Sequence, residues 1–286
     1  MLHETIHLKE YYAFLGDDGR DPTLAFYLPD NLSEMHRELQ KRPSLLICPG
    51  GAYMMCSQRE AEPVALHFLP EGFNVFVLIY SVSPHQFPAQ LLEVAAAFDW
   101  ITHRADHLHC DLERTAIMGF SAGGHLAAHY VNVYRWPEIR DIFPKSHRVA
   151  ASLLCYPVIT TDPAFSHKKS FEFLLGSYPQ GETAARFSCE KLVTADTPPT
   201  FLWHTAEDEN VPVENTLLYA MALSRFDVPY EMHIYPRGLH GLATADVQTN
   251  NALSPDAARN HQWIESARNW LVATFDSLIS RQDIED

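Results

Sequence analysis

The stretch Thr115-Ala-Ile-Met-Gly119-Phe120-Ser121-Ala122-Gly123-Gly124-His125-Leu126-Ala127-Ala128 sets a serine among small residues where an apolar run meets a helical pattern. Residues 115–119 are short, apolar and β-branched at the centre, whereas residues 122–134 place Leu126, Tyr130 and Val133 at helical spacing. A chain turning from strand to helix in so few residues bends too sharply to accommodate a Cβ two positions to either side of the serine, which is what Gly119 and Gly123 avoid. The bend pushes the Ser121 hydroxyl outward. The pattern Gly-x-Ser-x-Gly alone turns up by chance in roughly one chain in ten of this length, so its weight rests on this context and on partners elsewhere.

Apolar runs of strand length flank the elbow, at 43–48 and 74–80 before it and at 149–156, 199–205 and 230–235 after it. Helical patterns separate them over 59–70, 88–104, 213–226 and 260–279, the last with Trp263, Ala267, Trp270, Leu271 and Phe275 on one face. This alternation predicts an α/β fold, a mostly parallel twisted sheet with helices on both faces. Residues 5–15 and 23–28, separated by Gly16-Asp-Asp-Gly-Arg-Asp-Pro22, read as an antiparallel hairpin added at one sheet edge. No linker and no internal repeat interrupts the chain, so residues 1–286 read as a single domain. Residues 159–197 are the least regular, with a short helix expected over 171–175, and are placed to form a small cap.

With 286 residues, 47% of them hydrophobic, the chain can bury a substantial core. The first ten residues carry His3, Glu4, His7, Lys9 and Glu10, which does not read as a signal peptide, and no apolar stretch has membrane-spanning length. A cytoplasmic protein is expected. Cys48, Cys56, Cys110, Cys155 and Cys189 are odd in number and show no paired spacing, which predicts reduced thiols and argues against a disulfide framework or a cysteine zinc site. A net charge of −15 with no compensating basic cluster argues against nucleic acid and membrane surfaces as partners.

A serine hydroxyl needs a histidine to take its proton and a carboxylate to orient that histidine, in the chain order serine, acid, histidine on this architecture. Asp208, in His204-Thr-Ala-Glu-Asp208-Glu-Asn-Val211, follows the apolar run ending near Trp203, where a loop at the carboxyl edge of the sheet begins; Glu207 and Glu209 are its adjacent rivals. His240, in Tyr235-Pro-Arg-Gly238-Leu-His240-Gly241, follows the last expected strand in a glycine-flanked loop. His125 and His129, four apart, could suggest a metal pair, but no acidic ligand nearby completes a site, so a structural role and no metal are expected. Backbone donors for an oxyanion are expected from Cys48-Pro49-Gly50-Gly51-Ala52-Tyr53, at Gly51 or Ala52, together with Ala122. Neither phosphate-binding glycine spacing is present.

The chain resembles the α/β-hydrolase superfamily, and within it the small bacterial carboxylesterases and acetyl esterases of the acetylxylan-esterase-like, lipase/esterase group. The resemblance covers nearly the whole chain. It rests on Pro49-Gly-Gly-Ala-Tyr53, Arg59-Glu60-Ala61-Glu62-Pro63, Tyr80-Ser-Val-Ser-Pro84, Gly119-Phe-Ser-Ala-Gly-Gly-His-Leu126, Pro198-Pro-Thr-Phe-Leu-Trp-His-Thr-Ala-Glu-Asp208 and Gly238-Leu-His-Gly241. Many relatives carry histidine where Pro49 stands and a third glycine where Ala52 stands; a backbone N–H survives at Ala52. The resemblance implies hydrolysis of short acyl esters, often acetyl groups on sugars, without a metal or organic cofactor, and commonly in a homo-oligomer.

The expected function is a serine carboxylesterase acting on acetyl-like esters through Ser121, His240 and Asp208. The short 159–197 segment leaves little material for a deep acyl tunnel, which predicts acetyl to butyryl over lipid chains. Two other readings are a serine peptidase of prolyl-oligopeptidase type, which usually carries a large N-terminal propeller, and a non-catalytic hydrolase-like binding protein, which generally lacks a triad member. Specificity is expected in the loops around Tyr53, Phe87 and 159–197, with Tyr53 leaning to the substrate pocket and Phe87 to the core.

Overall fold

A computed structural model describes residues 1–16, 18–145, 147–253 and 256–285. Eight strands form one sheet: β1 (Leu2–His7), β2 (Thr23–Leu28), β3 (Arg42–Cys48), β4 (Asn74–Ile79), β5 (Cys110–Phe120), β6 (Ala151–Cys155), β7 (Thr200–Thr205) and β8 (Tyr230–Tyr235), in the spatial order β1-β2-β4-β3-β5-β6-β7-β8. The pairs β1–β2 and β2–β4 are antiparallel, and every other pairing is parallel. The helices are α1 (Glu62–Phe68), α2 (Ala89–His103), α3 (Ser121–Val133), α4 (Pro137–Arg140), α5 (Lys168–Leu175), α6 (Gly181–Phe187), α7 (Glu214–Arg225) and α8 (Ala257–Glu285).

Successive strand residues point to opposite faces, so strands that are apolar throughout demand a cover on both sides. Leu46, Cys48, Phe76, Leu78 and Ile117 bury one face with residues of α2, α3 and α7, while Leu45, Ile47, Val75, Val77 and Met118 bury the other with α1 and α8. On α8 the apolar stripe anticipated from sequence delivers Trp263, Ala267, Leu271 and Phe275 to this second core, with Trp270 half-buried at its margin. Trp263 stacks on Trp203 of β7 at 5.0 Å between ring centres.

The N-terminal hairpin sits at the sheet edge, but its first strand lies earlier than residues 5–15. Beyond His7 the chain leaves the sheet for short 3₁₀ turns at Leu8–Glu10 and Ala13–Leu15, with the amides of Tyr11 and Tyr12 both bonded to the Leu8 carbonyl. The aromatic run that resembles a strand is instead laid over α2: Tyr11 meets Trp100 edge-on and Tyr12 donates to Asp99 at 2.6 Å. Asp17 of the linking turn lies outside the described residues. The 159–197 segment is more helical than the sequence suggested, holding α5, α6 and a 3₁₀ turn at Cys189–Lys191.

Candidate active site

The loops that leave the carboxyl ends of β3, β5, β7 and β8 converge. Strand order reverses at β3, since the chain passes from β3 to β4 on one side and then to β5 on the other, and the crevice at such a switch is where open α/β sheets take ligands. Ser121 stands at that point, the first residue of α3, with a left-handed φ of 52° that a side chain seldom adopts. The elbow's steric demand is visible in its glycines. A Cβ on Gly119 would come within 2.1 Å of the Gly123 carbonyl oxygen, and one on Gly123 within 2.1 Å of Cys48 O and 2.3 Å of Pro49 O, all backbone atoms that cannot swing away.

The three side chains singled out from sequence meet. His240 Nε2 is 2.8 Å from Ser121 Oγ, and His240 Nδ1 is 2.6 Å from Asp208 Oδ2. Ser121 and Asp208 are buried, and His240 keeps a partly open edge. Glu207 and Glu209, the rival acids, are exposed. Burial alone would raise the Asp208 pKa, but hydrogen bonds from His204, from His240 and from the Val211 amide outweigh it and hold the carboxyl well below the usual range. The His240 loop is tethered twice on its N-terminal side: Thr205 Oγ1 donates to Gly238 O at 2.8 Å, and Asn260 Nδ2 donates to Arg237 O at 2.9 Å.

Across the crevice, Gly51 and Ala52 form a left-handed turn with φ of 128° and 57°. Both the Met54 and Met55 amides close on the Gly51 carbonyl, so tightly that a Cβ on Gly51 would lie 2.2 Å from Met55 O. The Gly50 amide is occupied by Glu60 Oε2 at 2.7 Å. Ala122 lies in the first turn of α3, where helix amides lack an intrahelical acceptor.

Tyr53 requires a correction. Its ring is only 1% exposed and its hydroxyl donates to His125 Nδ1 at 2.8 Å, so it packs in the core behind the elbow instead of lining a pocket. Phe87 is half-buried, edge-on to Phe187 of α6 at 5.0 Å and tilted on His129. His125 Nε2 faces the Phe187 carbonyl at 3.0 Å, which accepts only, so Nε2 carries the proton and Nδ1 accepts from Tyr53; burial pushes the His125 pKa down to about 4. The pair His125 and His129 thus ties α3 to α6. Among the described residues no group of three or more His, Cys, Asp or Glu is arranged to hold a metal ion, and all five cysteines are free. No described helix is long and apolar enough to cross a membrane.

Four residues of the site were not singled out for it by the sequence reading. Glu60 and Tyr156 lie buried beneath it, and Tyr156 meets the His240 ring edge-on at 5.1 Å. His204 backs Asp208 at 3.2 Å. His167, just before α5, sits within electrostatic reach of His240 and Asp208, and burial is the main cause of its lowered pKa. Each is a polar residue within or beside an apolar run or an irregular segment, and only its depth, which no local pattern encodes, marks it out.

The BD-FAE family model matches residues 26–223. The chain belongs to the BD-FAE family. Over 231 residues, 77% of this chain and 35% of the relative, it is 39% identical to endo-1,4-beta-xylanase B of Butyrivibrio fibrisolvens. Over 238 residues, 82% of this chain and 46% of the relative, it is 29% identical to the acetylxylan esterase of Xylanibacter ruminicola. The chain thus spans less than half the length of these curated relatives. Among solved structures this BD-FAE member is similar to the acetyl ester-xyloside bifunctional hydrolase from Caldicellulosiruptor lactoaceticus, with 34% identity, a TM-score of 0.82 and coverage of 94% of this chain and 96% of that one. Its family and its neighbours place it in an α/β-hydrolase esterase group.

Proposed function

We propose that the chain is a serine carboxylesterase for short acyl esters, acetyl groups on sugars foremost, and that residues 1–286 form one catalytic unit with 159–197 as its cap. The observation that carries this reading is the double contact of His240, 2.8 Å from Ser121 Oγ on one side and 2.6 Å from Asp208 Oδ2 on the other. A carboxylate at Nδ1 fixes the tautomer that leaves Nε2 free to accept, which is the state a general base needs. In this scheme Ser121 Oγ attacks the ester carbonyl carbon as its proton passes to His240 Nε2. The carbonyl oxygen becomes an oxyanion held by backbone N–H groups of the Gly51-Ala52 turn and of Ala122. Collapse breaks the bond to the alcohol oxygen, which takes the proton from Nε2; water then repeats the sequence on the acyl-enzyme and frees the acid.

The acetyl-sugar preference is supported by relatives named for acetylxylan and acetyl ester-xyloside hydrolysis. The preference for short chains is supported by the size of the cap, whose helices have eight and seven residues. Hydrolysis of p-nitrophenyl acetate, butyrate and octanoate, beside an acetylated xylo-oligosaccharide, tests both. Activity is expected to fall with chain length and to vanish in Ser121→Ala. Equal or better turnover of octanoate would sink the short-chain preference, and unchanged activity in Ser121→Ala would sink the serine mechanism.

A further inference from the structure

Glu60 is a carboxylate taken out of water, 3% exposed, at the end of a short 3₁₀ turn before α1. Burial raises its pKa, and the groups that offset this are a phenol and a backbone amide, with weaker help from the charges of His240 and Arg59. Burying a carboxylate costs several kcal/mol unless its oxygens are well bonded, so a residue type that the fold could have replaced with an apolar one calls for a reason. Its partners supply one. Oε2 accepts the Gly50 N–H at 2.7 Å, in the residue that leads into the Gly51-Ala52 turn. Oε1 accepts the Tyr156 hydroxyl at 2.7 Å, and that hydroxyl oxygen in turn accepts the Ala243 N–H at 2.9 Å, three residues beyond His240. Tyr156 holds a left-handed φ of 36° and sets its ring edge against the His240 imidazole.

We propose that Glu60 and Tyr156 act as one positioning unit that fixes the oxyanion turn relative to the His240 loop; this rests on the serine-esterase reading above. The two halves of the site hang from different strands, the turn from β3 and the histidine from β8, with β5, β6 and β7 between them in the sheet. A single carboxylate spanning both sets their separation without touching substrate. As a carboxylate Glu60 accepts at both oxygens, which matches the two donors, Gly50 N–H and Tyr156 O–H, that face it. The same negative charge lies within reach of His240 and favours the imidazolium formed as Ser121 loses its proton. A Cβ on Gly50 would lie 2.7 Å from Glu60 Oε2 and 2.9 Å from Ser121 Cβ, which shows how closely the unit backs the nucleophile.

The test uses Glu60→Gln, Tyr156→Phe, their double variant and Ser121→Ala, with p-nitrophenyl acetate as substrate and an aryl trifluoromethyl ketone as a probe that adds to the serine and creates an oxyanion. Expected for Glu60→Gln is a kcat lower by roughly 10- to 100-fold with KM within about twofold, and ketone affinity weakened by a similar factor. Tyr156→Phe changes kcat and ketone affinity in the same direction, and the double variant loses no more than about threefold beyond Glu60→Gln, as members of one unit do. Thermal unfolding of each variant gives the folded fraction to which kcat is referred; should Glu60→Gln fail to fold, the Tyr156→Phe values decide. A kcat within twofold of wild type in either folded variant, or losses that multiply in the double variant, overturns the unit while Ser121→Ala remains inert. Full activity in Ser121→Ala instead overturns the serine reading and the unit with it.

Discussion

His204 Nε2 lies 3.2 Å from Asp208 Oδ2, the same oxygen that meets His240 Nδ1 at 2.6 Å. The His204 tautomer is set by its other contacts: Nε2 is also 2.9 Å from the Val211 carbonyl, which can only accept, so Nε2 bears the proton and Nδ1 accepts from Thr216 Oγ1 at 2.8 Å. The amides of Asn210 and Val211 donate to Oδ1 at 3.0 and 2.9 Å. Asp208 is therefore an anion held by donors on both oxygens, buried behind His240.

Asp208→Asn keeps the shape of this arrangement but turns an acceptor into a donor against donors. On the proposed mechanism kcat is expected to fall by about 10³ to 10⁴, with the backbone fold intact by circular dichroism. His204→Phe removes one donor only, and a loss of about tenfold is expected. The lowered Asp208 pKa also fixes a sign: its contribution to stability is whole above the ordinary Asp range and is lost only as pH falls through the depressed value, so acid unfolding monitored by fluorescence should begin at higher pH in Asp208→Asn than in the wild type.

Gly123→Ala is expected to destabilise the protein by more than about 3 kcal/mol and to abolish turnover, because its Cβ collides with two carbonyls of the β3 loop. Gly181→Ala, where the new Cβ meets nothing within 4 Å, should cost only the left-handed strain at φ 56°, about 1 kcal/mol. Denaturant melts of both variants make the comparison.

Glu93, wholly buried on α2, accepts from the Ser81 amide and hydroxyl at 2.6 Å each, and burial pushes its pKa up to about 7. Unfolded, it loses its proton near pH 4.5; folded, it keeps it until about 7. Across that window the folded chain binds the extra proton, so stability falls as pH rises from 4.5 to 7 and the penalty is constant above it. Glu93→Gln removes this titration. The denaturation midpoint of the wild type should drop more between pH 5 and 7.5 than that of the variant.

Tyr53→Phe separates a core role from a pocket role. Losing the hydroxyl leaves His125 Nδ1 buried without its donor, at an expected cost of about 1–3 kcal/mol in unfolding free energy, with KM for p-nitrophenyl acetate unchanged. A raised KM at unchanged stability would return Tyr53 to the substrate side.

The parallel sheet was legible because its strands are apolar on both faces, and the elbow because two glycines and a serine carry a steric requirement. Asp208 could be placed against Glu207 and Glu209 only by its address after β7; the structure adds the reason, since Asp208 alone of the three turns inward onto four donors. The first strand was displaced because Tyr11 to Leu15 is as apolar as a strand, and the competing packing on α2 is a tertiary fact. Tyr53 is buried against His125, a partner 72 residues away that its position beside the glycines does not signal. Glu60, Tyr156 and His204 escaped because hydrogen bonds spanning 96, 87 and 4 residues have no common period.

The left-handed backbone at Ser121 carries one more consequence. A non-glycine residue there gives up about 1 kcal/mol that glycine would keep, so on the proposed mechanism the position is one where folding and turnover pull on the same residue in opposite directions. Selection for thermostability alone would favour glycine at 121 and yield a tougher, inert protein. A screen for heat-resistant variants of this chain that does not also demand ester turnover would be drawn toward discarding the proposed nucleophile.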